Sequence, residues 1–111
     1  EVGIDLRSTG QLLGRLDDVS AVARGRRTGL TIAPFVYALE RPVEPEPNHE
    51  VQEALWVPLS DLESERFRAT KPYQFGSTRL LLPAWDWNGR LIWGLTYNML
   101  DSLLRIVGRM P

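Results

Sequence analysis

The stretch LTIAPFVYAL, residues 30–39, carries the strongest strand signal in the chain and points to its fold class. Apolar side chains occupy both of its alternating faces, with Ile32 on one face and Phe35 on the other. A strand covered on two sides has this pattern, as in a sheet between layers of helices. Pro34 lacks an amide donor and marks an edge position or a bulge. We therefore predict a sheet sandwiched by helices, in the α/β class.

Composition limits the classes of function that the chain can serve. Its 111 residues, 43% hydrophobic and 24% charged, suit one small domain or a portion of one. A net charge of -1 argues against a nucleic-acid-binding module, which normally carries a basic excess. The chain has no cysteine, which excludes disulfides, thiolate zinc sites and cysteine nucleophiles and suits a cytoplasmic location. Its apolar runs are too short to span a bilayer, so we expect no membrane partner.

The remaining elements of the first half are a strand, two loops and a second strand. We predict the first strand at residues 11–19 and an exposed loop at residues 21–29. Residues 40–49, rich in proline and glutamate, predict an extended surface loop. Residues 51–57 predict a strand with Trp56 in the core, followed by a short helix capped by Ser60.

In the second half, residues 66–78 are polar and predict irregular structure, whereas residues 80–85 predict a strand. Asn88 and Gly89 predict a two-residue hairpin, because both central positions of a type I′ turn need positive φ. A final helix capped by Thr96 should run to about residue 107. Its buried stripe should follow the helical period and comprise Leu95, Met99, Leu100, Leu103 and Val107.

Four segments, in this order, resemble parts of Nudix hydrolases. Residues 1–4, EVGI, are similar to the end of the Nudix box, the loop-helix-loop motif that carries the family's glutamates. Residues 12–18 and 32–36 resemble the two strands that follow the box in the coenzyme A pyrophosphatase branch. Residues 50–59, EVQEALWVPL, resemble an E-V-x-E-x-x-W-V-P-L segment common in the family, and residues 92–96 resemble the branch's W-G-L/A-T ending.

The resemblance implies the Nudix α/β/α sandwich with a mixed sheet. On this interpretation, residues 1–111 are the C-terminal portion of a single Nudix domain, and the N-terminal part is missing. The chain would start at the last glutamate of the box. The first box glycine, the other box glutamates and the upstream coenzyme A motif do not occur in the sequence, so the substrate branch is inferred from the flanking strands alone.

The resemblance also implies a Mg²⁺- or Mn²⁺-dependent reaction with Glu1 as a metal ligand. Hard oxygen ligands suit Mg²⁺, and the ion relieves the repulsion between a diphosphate and an attacking hydroxide. Glu50 and Glu53 are the catalytic candidates, as a general base or as further metal ligands. A single carboxylate is a poor Mg²⁺ site, however, and Glu50 and Glu53 could equally be exposed, solvated carboxylates. His49, the only histidine, is more typical of an exposed or structural residue.

Three arginines are the candidate substrate-binding residues. Arg24, Arg26 and Arg27 could pair with substrate phosphates, because guanidinium matches phosphate oxygens in geometry. The alternative is a solvated basic loop. Tryptophans 85, 87 and 93 could stack on an adenine base, but core packing or a homodimer surface is the simpler interpretation.

The expected function is hydrolysis of a pyrophosphate bond in a nucleotide-like small molecule. Coenzyme A or acyl-CoA is the first substrate class. One alternative keeps the chemistry but takes ADP-ribose, NADH or nucleoside triphosphates. The other is a catalytically inactive Nudix-fold module for binding or dimerisation.

Overall fold

The structure is a computed structural model that describes residues 3–23, 26–51 and 53–108. The side chains of residues 22–27 lie outside this description. The chain is of the α/β type with antiparallel sheets, and it divides into two compact units. Glu1–Arg15 and Phe35–Val57 form the first unit, and Leu16–Pro34 and Pro58–Pro111 form the second. No helix in the described ranges has both the length and the apolar character needed to cross a bilayer.

The first unit is a two-stranded antiparallel ladder preceded by one helical turn. Helix α1 (Leu6–Thr9) is capped by Asp5, whose side chain accepts a hydrogen bond from the Arg7 amide at 3.0 Å. Strand β1 (Gly10–Arg15) pairs with β4 (Phe35–Leu39), and a bulge interrupts the ladder between Leu12 and Gly14. None of the unit's described residues is fully buried.

The predicted continuous strand at residues 30–39, covered on both faces, is wrong. The structure ends β3 (Arg26–Ile32) before Pro34 and begins β4 after it. Each piece pairs with a different strand, because Pro34 cannot donate the amide hydrogen bond that a continuous ladder needs. Leu30 is 66% exposed and Phe35 is 56% exposed, so neither face is covered there.

A hairpin begins the second unit, where a loop was predicted at residues 21–29. Strand β2 (Val19–Ala23) pairs with β3, and the Leu16 amide closes the base by donating to the Pro34 carbonyl at 3.0 Å. The Thr28 hydroxyl donates to the Ala21 carbonyl across the pair at 3.0 Å. Polar residues suit the solvent face of an antiparallel pair, so polarity alone did not distinguish loop from strand.

A three-stranded antiparallel sheet forms most of the second unit. It comprises β5 (Arg68–Phe75), β6 (Thr78–Trp87) and β7 (Arg90–Ile92), in that spatial order. The β6–β7 turn has positive φ at both Asn88 and Gly89, which confirms the predicted type I′ hairpin. The β5–β6 turn has positive φ only at its first central residue, Gly76, which is the type II′ pattern.

Strand β5 occupies residues that were predicted to be irregular. Its exposure alternates along most of the strand, with Ala69, Lys71 and Tyr73 on the more covered face. The hairpin contains two prolines, Pro72 in β5 and Pro83 in β6. Counting from the closing pair at the type II′ turn, both prolines fall in non-hydrogen-bonded pairs, so their nitrogens face away from the partner strand.

Helix α2 (Leu59–Glu63) and helix α3 (Gly94–Val107) complete the second unit. They begin at Leu59 and Gly94, so the predicted caps Ser60 and Thr96 lie inside the helices instead of at their start. The five predicted stripe residues of α3 are all half-buried. The described buried apolar residues gather in this unit and are Leu16, Ala21, Leu62, Ala84 and Trp85.

Candidate functional site

Residues 50–59 hold the two catalytic candidates, and Asn48 orders the backbone where this segment begins. The Asn48 side-chain oxygen accepts a hydrogen bond from the Glu50 amide at 2.9 Å. The Asn48 carbonyl accepts another from the Val51 amide at 3.1 Å. This Asx-type turn orders the backbone on which Glu50 sits, without using the Glu50 side chain.

The Glu50 carboxylate is accessible. Its side chain is 57% exposed, and its Oε1 lies 3.9 Å from His49 Nε2, a contact that is an ion pair when the imidazole is protonated. The His49 side chain is itself 87% exposed, so solvent screens this pair strongly. Glu53 is exposed as well. Both carboxylates can therefore meet a dissolved substrate.

The strand predicted at residues 51–57 is wrong for the described part of that segment, which has no strand or helix. Trp56 is 59% exposed and Leu55 is 40% exposed, so the predicted core position of Trp56 is also wrong. Pro58, which directly follows, suits the start of α2, because a proline nitrogen donates no hydrogen bond. Glu50 thus lies in the Asn48 turn, and Glu53 lies between that turn and helix α2, which begins at Leu59.

Several predicted site residues fall outside the description. Glu1, the expected metal ligand, and Arg24 lie outside the described residues. The backbones of Arg26 and Arg27 lie in β3, paired with Ala23 and Val22, but their side chains are not described. These arginines belong to the second unit, whereas Glu50 and Glu53 belong to the first. Their roles stay predictions.

The described residues do not form a metal centre by themselves. In residues 3–23, 26–51 and 53–108, no three histidine, aspartate or glutamate side chains come together in a group that could hold an ion. Glu1, the predicted ligand, lies outside these ranges. The metal remains a prediction.

Sequence reasoning did not identify two clefts that lie within the second unit. The first, about 510 Å³, lies between α2, the β5–β6 pair and the later part of α3. Tyr97 lines it and packs against the buried Trp85, with ring centroids 4.3 Å apart and 37° between the ring planes. Burial, and then the Asp101 carboxylate, raise the pKa of Tyr97, while Arg68 and Arg105 oppose the shift. Its hydroxyl therefore stays a hydrogen-bond donor at neutral pH.

The second cleft, about 560 Å³, lies between the β5–β6 hairpin and the start of α3. We call it the aromatic cleft. Apolar side chains dominate its lining, and three polar side chains complete it. The apolar members are Tyr73, Phe75, Leu80, Leu82, Trp93 and Leu95, and the polar ones are Ser20, Thr96 and Asn98. The alternation of Tyr73 and Phe75 along β5 was the signal in the sequence that could have indicated it.

No family model, curated protein or solved structure matches the chain. The resemblance of four segments to Nudix hydrolases is therefore a prediction from the sequence alone.

Proposed function

We propose that the protein hydrolyses a pyrophosphate bond in a nucleoside-diphosphate-linked substrate, with coenzyme A or acyl-CoA as the first class. The observation that carries this proposal is the accessible Glu50 carboxylate, held on the Asn48 turn at the start of the EVQEALWVPL segment. With it we propose the Nudix α/β/α sandwich, a mixed sheet between helices, as the fold of the domain. A cytoplasmic location and a homodimer belong to the same proposal.

Glu50 would act as the general base. Its carboxylate accepts a proton from water while the water oxygen attacks a phosphorus atom and the bridging P–O bond breaks. The bridging oxygen then leaves with the other phosphate. The Asn48 turn fixes the backbone that carries the Glu50 carboxylate.

Other residues would bind and neutralise the diphosphate. Arg24, Arg26 and Arg27 would donate paired hydrogen bonds to phosphate oxygens. A bound Mg²⁺ or Mn²⁺, with Glu1 among its ligands, would supply further charge neutralisation. Glu53 would serve as a second carboxylate near the base.

The test uses the natural full-length protein with Mg²⁺ and a panel of coenzyme A, ADP-ribose, NADH and nucleoside triphosphates. Mass spectrometry identifies the products, and the expected ones are 4′-phosphopantetheine and adenosine 3′,5′-bisphosphate. Glu50→Gln should lower kcat by roughly 10²- to 10⁴-fold, the usual contribution of a general base. Glu1→Gln should raise the Mg²⁺ concentration needed for activity.

The matched control is Glu44→Gln, which changes an exposed glutamate of the same loop. Its kcat should equal that of the natural protein. Equal kcat values for Glu50→Gln and Glu44→Gln would refute the role of Glu50. A folded protein that hydrolyses no member of the panel would refute the hydrolase proposal and favour an inactive Nudix-fold binding module.

A further inference from the structure

The alternation of side chains along β5 places two of the aromatic cleft's rings on one face of the strand. Tyr73 and Phe75 project from the same face of β5, because residues two apart in a strand share a face. Leu80 is the register partner of Tyr73 and extends the same face onto β6. The Tyr73 ring lies 5.8 Å from the Trp93 ring between centroids, with 52° between the planes. These rings form one wall of the cleft.

Trp93 is positioned by the turn that starts α3. Its backbone is extended, and the next residue, Gly94, has a φ of 67° and is the first residue of α3. A side chain at position 94 would strain that conformation. Trp93 as a whole residue is 37% exposed, and it lines the cleft.

Hydrogen-bonding groups line the aromatic cleft, and a positive charge lies beside Trp93, one of its lining residues. Ser20, Thr96 and Asn98 line it and offer hydroxyl and amide groups. The Lys71 ammonium lies 5.3 Å from the centroid of the Trp93 ring. An apolar tail needs neither feature, whereas a heteroaromatic ring bearing an anionic group uses both.

We propose that the aromatic cleft binds the base of an adenine nucleotide, stacked on the exposed part of Trp93 with its phosphate toward Lys71. The cleft's volume of about 560 Å³ is within the usual range for small-molecule sites. Stacking of a base on an aromatic side chain accepts any purine face, and the polar edge groups would distinguish adenine. The choice of adenine rests on the proposed function, because the proposed substrates carry that base.

The test measures binding without turnover. Isothermal titration calorimetry on the natural full-length protein uses adenosine 3′,5′-bisphosphate, adenosine and 4′-phosphopantetheine as separate ligands. Trp93→Leu should weaken binding of both adenine ligands by roughly ten- to hundredfold, the contribution of one stacked base. Trp93→Phe, which keeps a ring, should weaken it by less than about tenfold.

Two further variants separate the contributions to binding. At low salt, Lys71→Gln should weaken binding of the bisphosphate but leave binding of adenosine unchanged. At high salt the variant should bind both ligands as the natural protein does, because salt screens the Lys71 charge. Trp56→Leu makes the same side-chain change at a residue that is 59% exposed and does not line the cleft, so it should leave binding unchanged. Melting temperatures establish that each variant is folded.

If Trp93→Leu does not fold, NMR of the natural protein decides. The indole N–H signal that disappears in Trp93→Phe should shift when adenosine is added. The proposal would be overturned if that shift were absent. It would also be overturned if folded Trp93→Leu and the natural protein bound adenosine with equal affinity, or if 4′-phosphopantetheine competed with adenosine. Adenosine binding that survives in Glu50→Gln while hydrolysis is lost would support both proposals. Adenosine binding by a protein that hydrolyses nothing would support this one alone.

Discussion

The hydrogen bond between Trp87 and Asp61 should be the most informative single contact to break. The Trp87 indole N–H donates to Asp61 Oδ2 at 2.9 Å and ties α2 to β6. A hydrogen bond to a charged group contributes about 1.5–3 kcal/mol, and both residues are only half-buried, which favours the low end. Asp61→Ala should therefore lower the free energy of unfolding by about 1–2 kcal/mol. Asp61→Asn keeps a neutral acceptor and should lose about half as much.

A double-mutant cycle isolates the contact. The variants Asp61→Ala, Trp87→Phe and their combination are unfolded in urea and followed by circular dichroism. The coupling energy between the two positions should be about 1 kcal/mol or more. Glu63→Ala, on the exposed side of the same helix, is the control and should change stability by less than about 0.5 kcal/mol. A coupling energy near zero, with unchanged urea dependence in every variant, would refute the reasoning.

Two further predictions concern Tyr97 and the β6–β7 turn. Burial raises the pKa of Tyr97 in the folded state above the unfolded value of about 10. Near that pH the folded state therefore keeps a proton that the unfolded chain loses. The stability that this proton contributes is present below about pH 10 and is lost as the pH rises. Urea unfolding at about pH 9 and pH 11 should show a smaller loss for Tyr97→Phe than for the natural protein, and equal losses would contradict the shift. Gly89 has a φ of 88°, so Gly89→Ala should cost about 1 kcal/mol or more, measured by urea unfolding. Gly14→Ala, where an added Cβ meets no atom within 4 Å, should cost much less, and equal costs would be evidence against turn strain.

Local signals in the sequence predicted the β6–β7 turn and helix α3. The Asn88-Gly89 pair determined a turn type because few residues accept positive φ, and the structure has that turn. The helical period of the last segment predicted α3 and its end at Val107. Each of these predictions needed information from only a few consecutive residues.

Pairing between distant segments was not predictable in the same way. The apolar run around Pro34 suggested one strand, but β3 and β4 belong to different ladders. Partner choice depends on residues far along the chain, and a run of apolar residues says nothing about it. Strand β5 was missed for a second reason, since its proline and its charged residues concealed the alternation of covered positions at Ala69 and Tyr73.

The candidate site was predicted from the sequence only as a set of residue types. The sequence indicated Glu50 and Glu53 through the resemblance, but not the Asn48 turn that holds the segment. The aromatic cleft could not be predicted from the sequence, because Tyr73 and Trp93 come together only when the β5–β6 hairpin and the start of α3 have formed. Trp93 had been interpreted mainly as core or dimer surface, and its partial exposure is a property of the folded chain.

The two prolines of the β5–β6 hairpin also affect how the molecule meets other copies of itself. Strand β5 is an edge of the three-stranded sheet in the described part of the chain, and Pro72 leaves that edge one donor short. On the other side, Pro83 lies beyond the reach of β7, whose pairing with β6 begins at Trp85. A foreign strand that approached either edge would find a carbonyl but no N–H at these positions. The hairpin therefore resists the edge-to-edge growth that leads sheets into aggregates.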